Sequence, residues 1–193
     1  MGATTQLTIE EFFDLPEAPG KQELLDGELI ALPPAKHSHM QIAMDLYLML
    51  VAVLSKSRVC HETGYQLTRG WLQPDVSVTW PDQRIENDWP QGAPMIAIEI
   101  VSSANRPEHI DKKTAVYLEE GAAEVWVIYP ANRSMAVFRK GSWERVTGRY
   151  TCSLLNLVVD LEVLIPGATP PCLTSTNLDV KAKLPYGEQA TTP

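Results

Sequence analysis

The chain has 193 residues, 45% hydrophobic and 21% charged, which fits one globular domain with a full core and excludes a low-complexity or disordered protein. Its formal net charge of −8 counts against a large non-specific nucleic-acid surface, for which a basic face is expected, yet leaves room for a local basic cleft around metal-bound carboxylates. The most apolar run, Ile42 to Leu54, contains Asp45 and falls short of the roughly 20 residues of a membrane span.

The N-terminus lacks the basic-then-apolar layout of a secretory signal. Cys60, Cys152 and Cys172 are odd in number, far apart and without zinc-ligand spacing, so a reducing, cytoplasmic setting is expected. Thr8 and Glu11 form a capping box opening a short helix that Pro16 ends. Asp26-Gly27, between the apolar runs Gln22 to Leu25 and Glu28 to Leu32, predicts a hairpin. The turn accounts for Asp26 as a solvated rim residue, whereas Glu23 stays open between rim and site.

Pro33-Pro34 breaks the second strand, and a helix from about Met40 to Leu54 follows. It is apolar nearly all round, which predicts burial on more than one side. His37 and His39 stand at its start, two apart, so they do not share a helical face. A solvated or capping role is the plain reading of both; one of them lining a cleft is the alternative. Arg58 to Leu67 alternates as a single strand. Cys60-His61 invites a nucleophile–base reading, but neighbours on a strand point to opposite faces and do not touch.

Leu72 to Trp80 predicts a strand in which Pro74 suits the first position and Asp75 lies at the beginning, sharing a face with Ser77 and Thr79. Pro81 to Pro94 is polar and proline-flanked and reads as a long connecting loop. Met95 to Val101 is continuously apolar, as in a central strand covered on both faces, and Glu99 is its only charge. Burying an isolated carboxylate costs several kcal/mol, so Glu99 needs a partner: a basic side chain in a plain core, or a hard cation.

A turn, Ser102 to Arg106, leads to a helix with Pro107 in its first turn and Gly121 at its end. Ile110, Lys113, Thr114 and Tyr117 share its inward stripe, while Lys112 points elsewhere. Lys113 either snorkels or turns its ammonium back toward Glu99. Glu124 to Tyr129 is another buried strand, so Met95 to Tyr129 resembles a right-handed βαβ crossover with a parallel pair. Ser134 to Arg139 and Ser142 to Thr147 form a hairpin through Lys140-Gly141, and Leu154 to Ile165 is one more apolar element. The domain is expected to span residues 1–166, with 167–193 an extended or flexible tail.

Glu23 to Leu29, a histidine before a long helix, Pro74-Asp75-Val76, Ile98-Glu99-Ile100-Val101-Ser102, and Lys113, Tyr117, Gly121 and Glu124-Val125-Trp126 at their spacing together resemble the Uma-type restriction-endonuclease-like proteins. These are bacterial members of the PD-(D/E)XK nuclease superfamily, and the likeness covers roughly residues 5 to 165. The resemblance implies an α/β fold with a central mixed sheet flanked by helices, Mg²⁺ or Mn²⁺ as cofactor, and hydrolysis of nucleic-acid phosphodiesters, DNA before RNA. Asp75 matches the first motif acid and Glu99 the second. The superfamily lysine usually stands two residues further on, where this chain has Val101; Lys113 matches a lysine moved onto the next helix. Glu23 matches the additional N-terminal acid and His39 the family histidine.

On that basis Asp75, Glu99 and the Ile100 carbonyl are the expected metal ligands, and Lys113 orients water or stabilises developing charge. Glu23 seats a second metal or holds Lys113. A homodimer is left open by the resemblance and by spare apolar surface on the hairpins. The acidic net charge motivates a second reading: a binding or regulatory module that keeps the fold and the site with catalysis weak or lost.

Overall fold

A computed structural model of the chain describes residues 6–16 and 18–165; the expected tail at 167–193 and Cys172 lie outside them. In chain order the elements are α1 (Ile9–Phe13), β1 (Lys21–Leu25), β2 (Glu28–Leu32), α2 (His37–Val53), β3 (Val59–His61), β4 (Tyr65–Leu67), β5 (Gly70–Leu72), β6 (Val76–Val78), β7 (Ile85–Glu86), β8 (Trp89–Pro90) and β9 (Ile96–Ile100). They continue with α3 (Pro107–Glu119), β10 (Glu124–Tyr129), β11 (Ser134–Arg139), β12 (Ser142–Thr147), β13 (Arg149–Cys152), β14 (Leu157–Asp160) and α4 (Leu161–Leu164).

Two sheets carry the fold. The larger has the order β12-β11-β10-β9-β6-β3, and the smaller β2-β1-β5-β4. The larger is mixed: β9 and β10 run parallel, joined by the α3 crossover, and its other pairings are antiparallel. One of its faces packs Ile96, Ile98 and Ile100 against Ile42, Leu46 and Leu50 of α2. On the other, Ala97, Val125 and Val127 meet Ile110, Val116 and Tyr117 of α3 together with Leu25, Tyr65 and Leu72 of the smaller sheet. Every residue of β9 is therefore buried, which is why its sequence runs apolar without alternation.

The local signals act as their chemistry requires. Thr8 Oγ1 accepts the Glu11 N–H at 3.2 Å and the Glu11 carboxylate accepts the Thr8 N–H at 2.9 Å, closing the capping box. Asp26 and Gly27 both adopt positive φ, 52° and 79°, and reverse the β1–β2 hairpin.

Four expectations are corrected. Arg58 to Leu67 is not one strand: β3 ends at His61, Glu62 turns to φ 47°, and β4 resumes in the other sheet. Side-chain alternation continues across the break, so periodicity passes over it. The Pro81 to Pro94 loop contains the short β7–β8 hairpin, turned by Asn87 and Asp88 at φ 48° and 72°. Helix α2 begins at His37, earlier than the apolar run suggested. It is covered on one side only, leaving Met44 and Leu48 exposed, because the sheet offers it a single face. The apolar stretch from Leu154 to Ile165 resolves into β14 and α4. Among the described residues no helix is long and apolar enough to cross a membrane.

Gly70, at φ +141°, lets β5 lie against β1, where a Cβ would run into the Leu24 carbonyl oxygen. Gly70→Ala is therefore expected to cost about 2 kcal/mol or more, read as a lower thermal midpoint. An unchanged midpoint would show that the β1–β5 contact is slack.

Candidate active site

Alternation along β1 puts Lys21 and Glu23 on one face and Leu24 on the other, where it packs against Phe12 and Trp71. The Lys21–Glu23 face turns inward, and Glu23 is fully buried, which removes the rim reading for it. Asp26 and Glu28 do stay at the exposed rim, where Arg69 and Lys112 meet them. Asp75 directly precedes β6, and Glu99 stands on the adjacent β9 with its side chain toward α3. On α3, Lys113 occupies the buried stripe with Ile110 and Tyr117. Residues up to 90 positions apart in the chain thus meet at one end of the two sheets.

The side chains form a chain of alternating charge. Lys113 Nζ stands 2.6 Å from Glu99 Oε1 and 2.8 Å from Glu23 Oε1. It also donates to Glu23 Oε2 at 3.0 Å. The Tyr117 hydroxyl donates to Glu99 Oε1 at 3.1 Å, and the Gln73 backbone N–H donates to Glu23 Oε1 at 2.8 Å. Lys21 Nζ donates to Asp75 Oδ1 at 3.0 Å and stands 3.8 Å from Glu23 Oε1. The other Asp75 oxygen, Oδ2, accepts the Ile100 N–H at 2.7 Å and lies 3.4 Å from His39 Nε2. Lys113 turns back toward Glu99 rather than snorkelling, and of the two helix-start histidines it is His39 that reaches the cluster.

Charge and burial pull on these groups in opposite senses. Burial raises the Asp75 carboxyl, but the charge of Lys21 and the hydrogen bond and charge of His39 outweigh it, so its pKa falls below the ordinary aspartate value. Glu99 goes the other way: burial lifts its pKa and Lys113 and Lys21 offset that only in part. Burial alone would lower the Lys21 pKa, yet Glu23, Asp75 and Glu99 raise it, so it stays an ammonium. Tyr117 is raised by burial and by Glu99, and remains a hydrogen-bond donor. Glu23, Asp75 and Glu99 thus face two basic side chains, Lys21 and Lys113, at the bottom of the site.

A cleft of about 380 Å³ opens onto this cluster. Lys21, Asp75 and Glu99 reach its floor, and the starts of two helices flank it: Lys36 and His39 at α2, and the Ser102 to Asn105 turn before α3. Asn105 Oδ1 holds that turn by accepting the Ser102 N–H at 2.7 Å. Of the groups predicted from sequence, Glu23, Asp75, Glu99, Lys113 and His39 converge, and Ile100 contributes its amide to Asp75. Val101, at the usual superfamily lysine position, packs among apolar side chains. Cys60 lies against Tyr65 on the opposite face from His61, so they form no pair. Lys21 was not foreseen. Its two-residue spacing from Glu23 was the available signal, but a lysine opening a hairpin strand looks like any solvated rim residue.

The mixed sheet, the α3 crossover and the acids at the strand ends define a restriction-endonuclease-like fold. The chain belongs to the Uma2 family, described as "Putative restriction endonuclease", whose model matches residues 9–173. A similar solved structure is that of "a putative nuclease belonging to DUF820 from Anabaena variabilis ATCC 29413". It superposes with a TM-score of 0.75 at 22% identity, covering 82% of this chain and 97% of that one. At that identity the likeness speaks for the fold. No curated protein is similar enough to match.

Because the folded pKa of Asp75 is lowered, its pairing contributes stability above the ordinary value of 3.8 and loses it as pH falls through the folded value. Asp75→Asn should be less stable than the wild type at neutral pH, with the gap narrowing between about pH 4 and about pH 2 in thermal melts. A gap independent of pH would contradict the ion pairing.

Proposed function

We propose that the protein is a metal-dependent endonuclease hydrolysing phosphodiester bonds of nucleic acid, with DNA as the first substrate to try. The observation that carries this reading is the convergence of Asp75, Glu99, Glu23 and Lys113, with Asp75 and Glu99 lining an open cleft and Glu23 and Lys113 buried behind them. The start of α2 lines the same cleft, and its positive dipole end and Lys36 would favour an anionic backbone. The Ser102 to Asn105 turn before α3 lines it too. These local features answer part of the net charge of −8: Asp75 and Glu99 on the floor are buried, while the exposed Glu62 also lines the cleft.

The donor set fits a hard divalent cation. Among the described residues no three His, Cys, Asp or Glu side chains form a ready cage. Mg²⁺, however, keeps several waters and needs only one or two carboxylates plus substrate phosphate. Asp75, Glu99 and the Ile100 carbonyl would hold it, and when bound it would polarise the phosphoryl oxygen and lower the pKa of a water.

The chain's own groups supply the rest. His39 and the Ile100 N–H fix the orientation of Asp75, and Tyr117 fixes that of Glu99. Glu23 holds Lys113 from the far side, so the ammonium is placed before substrate arrives. Lys113 then orients the attacking water and stabilises negative charge building on the phosphoryl group. The apolar outer face of α2, with Leu48 57% exposed, supports a homodimer as the assembled form.

A second reading, a module of the same fold with catalysis weak or lost, is favoured by one observation: both ammonium groups already occupy the spaces between the acids. Plasmid and single-stranded substrates with Mg²⁺ or Mn²⁺ separate the two. The nuclease reading expects cleavage that falls by about 100-fold or more in Glu99→Gln and Lys113→Met, each checked for folding by circular dichroism. Cleavage unchanged in both variants, or absent from the wild type with every substrate and ion, would sink it.

A further inference from the structure

Lys21 is a second buried-site lysine that neither the family likeness nor the proposed chemistry employs. Its side chain is 13% exposed and reaches the cleft floor from the first residue of β1. Lys113 is committed elsewhere, bonded to Glu23 and Glu99, so Lys21 is the ammonium that pairs with Asp75. The division of labour at Asp75 matters. Oδ2 is taken by the Ile100 N–H and faces His39, while Oδ1 is the oxygen left to bind a cation, and it is Oδ1 that Lys21 holds at 3.0 Å.

A divalent ion bound to Oδ1 would stand within a few ångströms of that ammonium. Like charges so close in a poorly solvated site repel by several times the thermal energy. Both cannot share the oxygen, and the cleft beside Lys21 gives its four-carbon stem somewhere to go.

From this geometry we infer that Lys21 is a tethered cation seated on Asp75 in the metal-free protein, which a divalent ion must displace and which thereby sets the metal affinity of the site. Displaced into the cleft, the ammonium would stand where a substrate phosphate enters. The inference rests on the proposed metal site but not on catalysis, so its readout is metal binding.

Titration of the full-length protein with Mn²⁺ by calorimetry, in the wild type, Lys21→Met and Lys21→Arg, provides the test. Lys21→Met removes the competing charge and keeps the stem, so Mn²⁺ should bind at least about 10-fold more tightly than to the wild type. Lys21→Arg keeps a cation in place and should stay within about threefold. A measurement on the wild type alone covers the case where Lys21→Met does not fold: saturating Mn²⁺ should raise acylation of Lys21 by an amine-reactive reagent, relative to Lys36, in peptide mass spectra.

Affinity in Lys21→Met equal to or weaker than wild type, or Lys21 acylation unchanged or lowered by Mn²⁺, overturns the inference while leaving the nuclease reading intact. Binding by Lys21→Met alone supports the inference and favours the module in which catalysis is blocked. Mn²⁺ binding to neither protein removes both.

Discussion

The ion pair between Lys113 and Glu23 is the constraint on which the rest of the site depends. It ties α3, the crossover of the six-stranded sheet, to β1, a central strand of the four-stranded sheet, across 90 residues of chain. Neither group has water to fall back on: the Glu23 side chain is 0% exposed and that of Lys113 is 3%. Losing Lys113 would take the close basic partner from both Glu23 and Glu99, and breaking a buried pair in this way typically costs about 3–5 kcal/mol. The two sheets are therefore held in one register by a contact that cannot be made approximately.

That contact is nonetheless a poor way to gain stability. Well-packed apolar side chains at positions 23, 99 and 113 would close the same space without desolvating charges, and replacements of that kind are often neutral or stabilising. The surroundings are already suited to it, since Ile110, Val116 and Tyr117 pack between the sheets. By contrast the buried Glu124 is satisfied by Trp126, Arg139 and Tyr150 and does not line the cleft above Asp75 and Glu99. It reads as a structural link from β10 to β13. The difference between the two clusters is access: one is closed by its partners, whereas the other lies beneath a cleft flanked by helix N-termini.

The parts of this arrangement that were legible in sequence are those governed by short-range rules. Glu99 stood out because it is the single charge in a continuous apolar strand, and Lys113 because helical spacing put it on a stripe with Ile110 and Tyr117. The hairpin at Asp26-Gly27 and the βαβ crossover followed from turn chemistry and element order. What stayed hidden depends on distance or on backbone sign. Glu23 and Lys21 look like rim residues until β5 and α3 cover them. Glu62 gives no warning that it will turn to positive φ and send β3 and β4 into different sheets. The β7–β8 hairpin is too short for periodicity, although Asn87-Asp88 carried the turn signal.

The acids around the cleft floor are compensated locally, acidic though the chain is as a whole. A carboxylate repels phosphate only as far as it is uncompensated, and Glu23, Asp75 and Glu99 are each in contact with an ammonium. Lys21 reaches the floor beside Asp75 and Glu99, while Lys36 and the exposed Glu62 also line the cleft. In the proposed nuclease, Asp75 and Glu99 would hold the cation at the floor, and the substrate phosphate would reach it from the cleft.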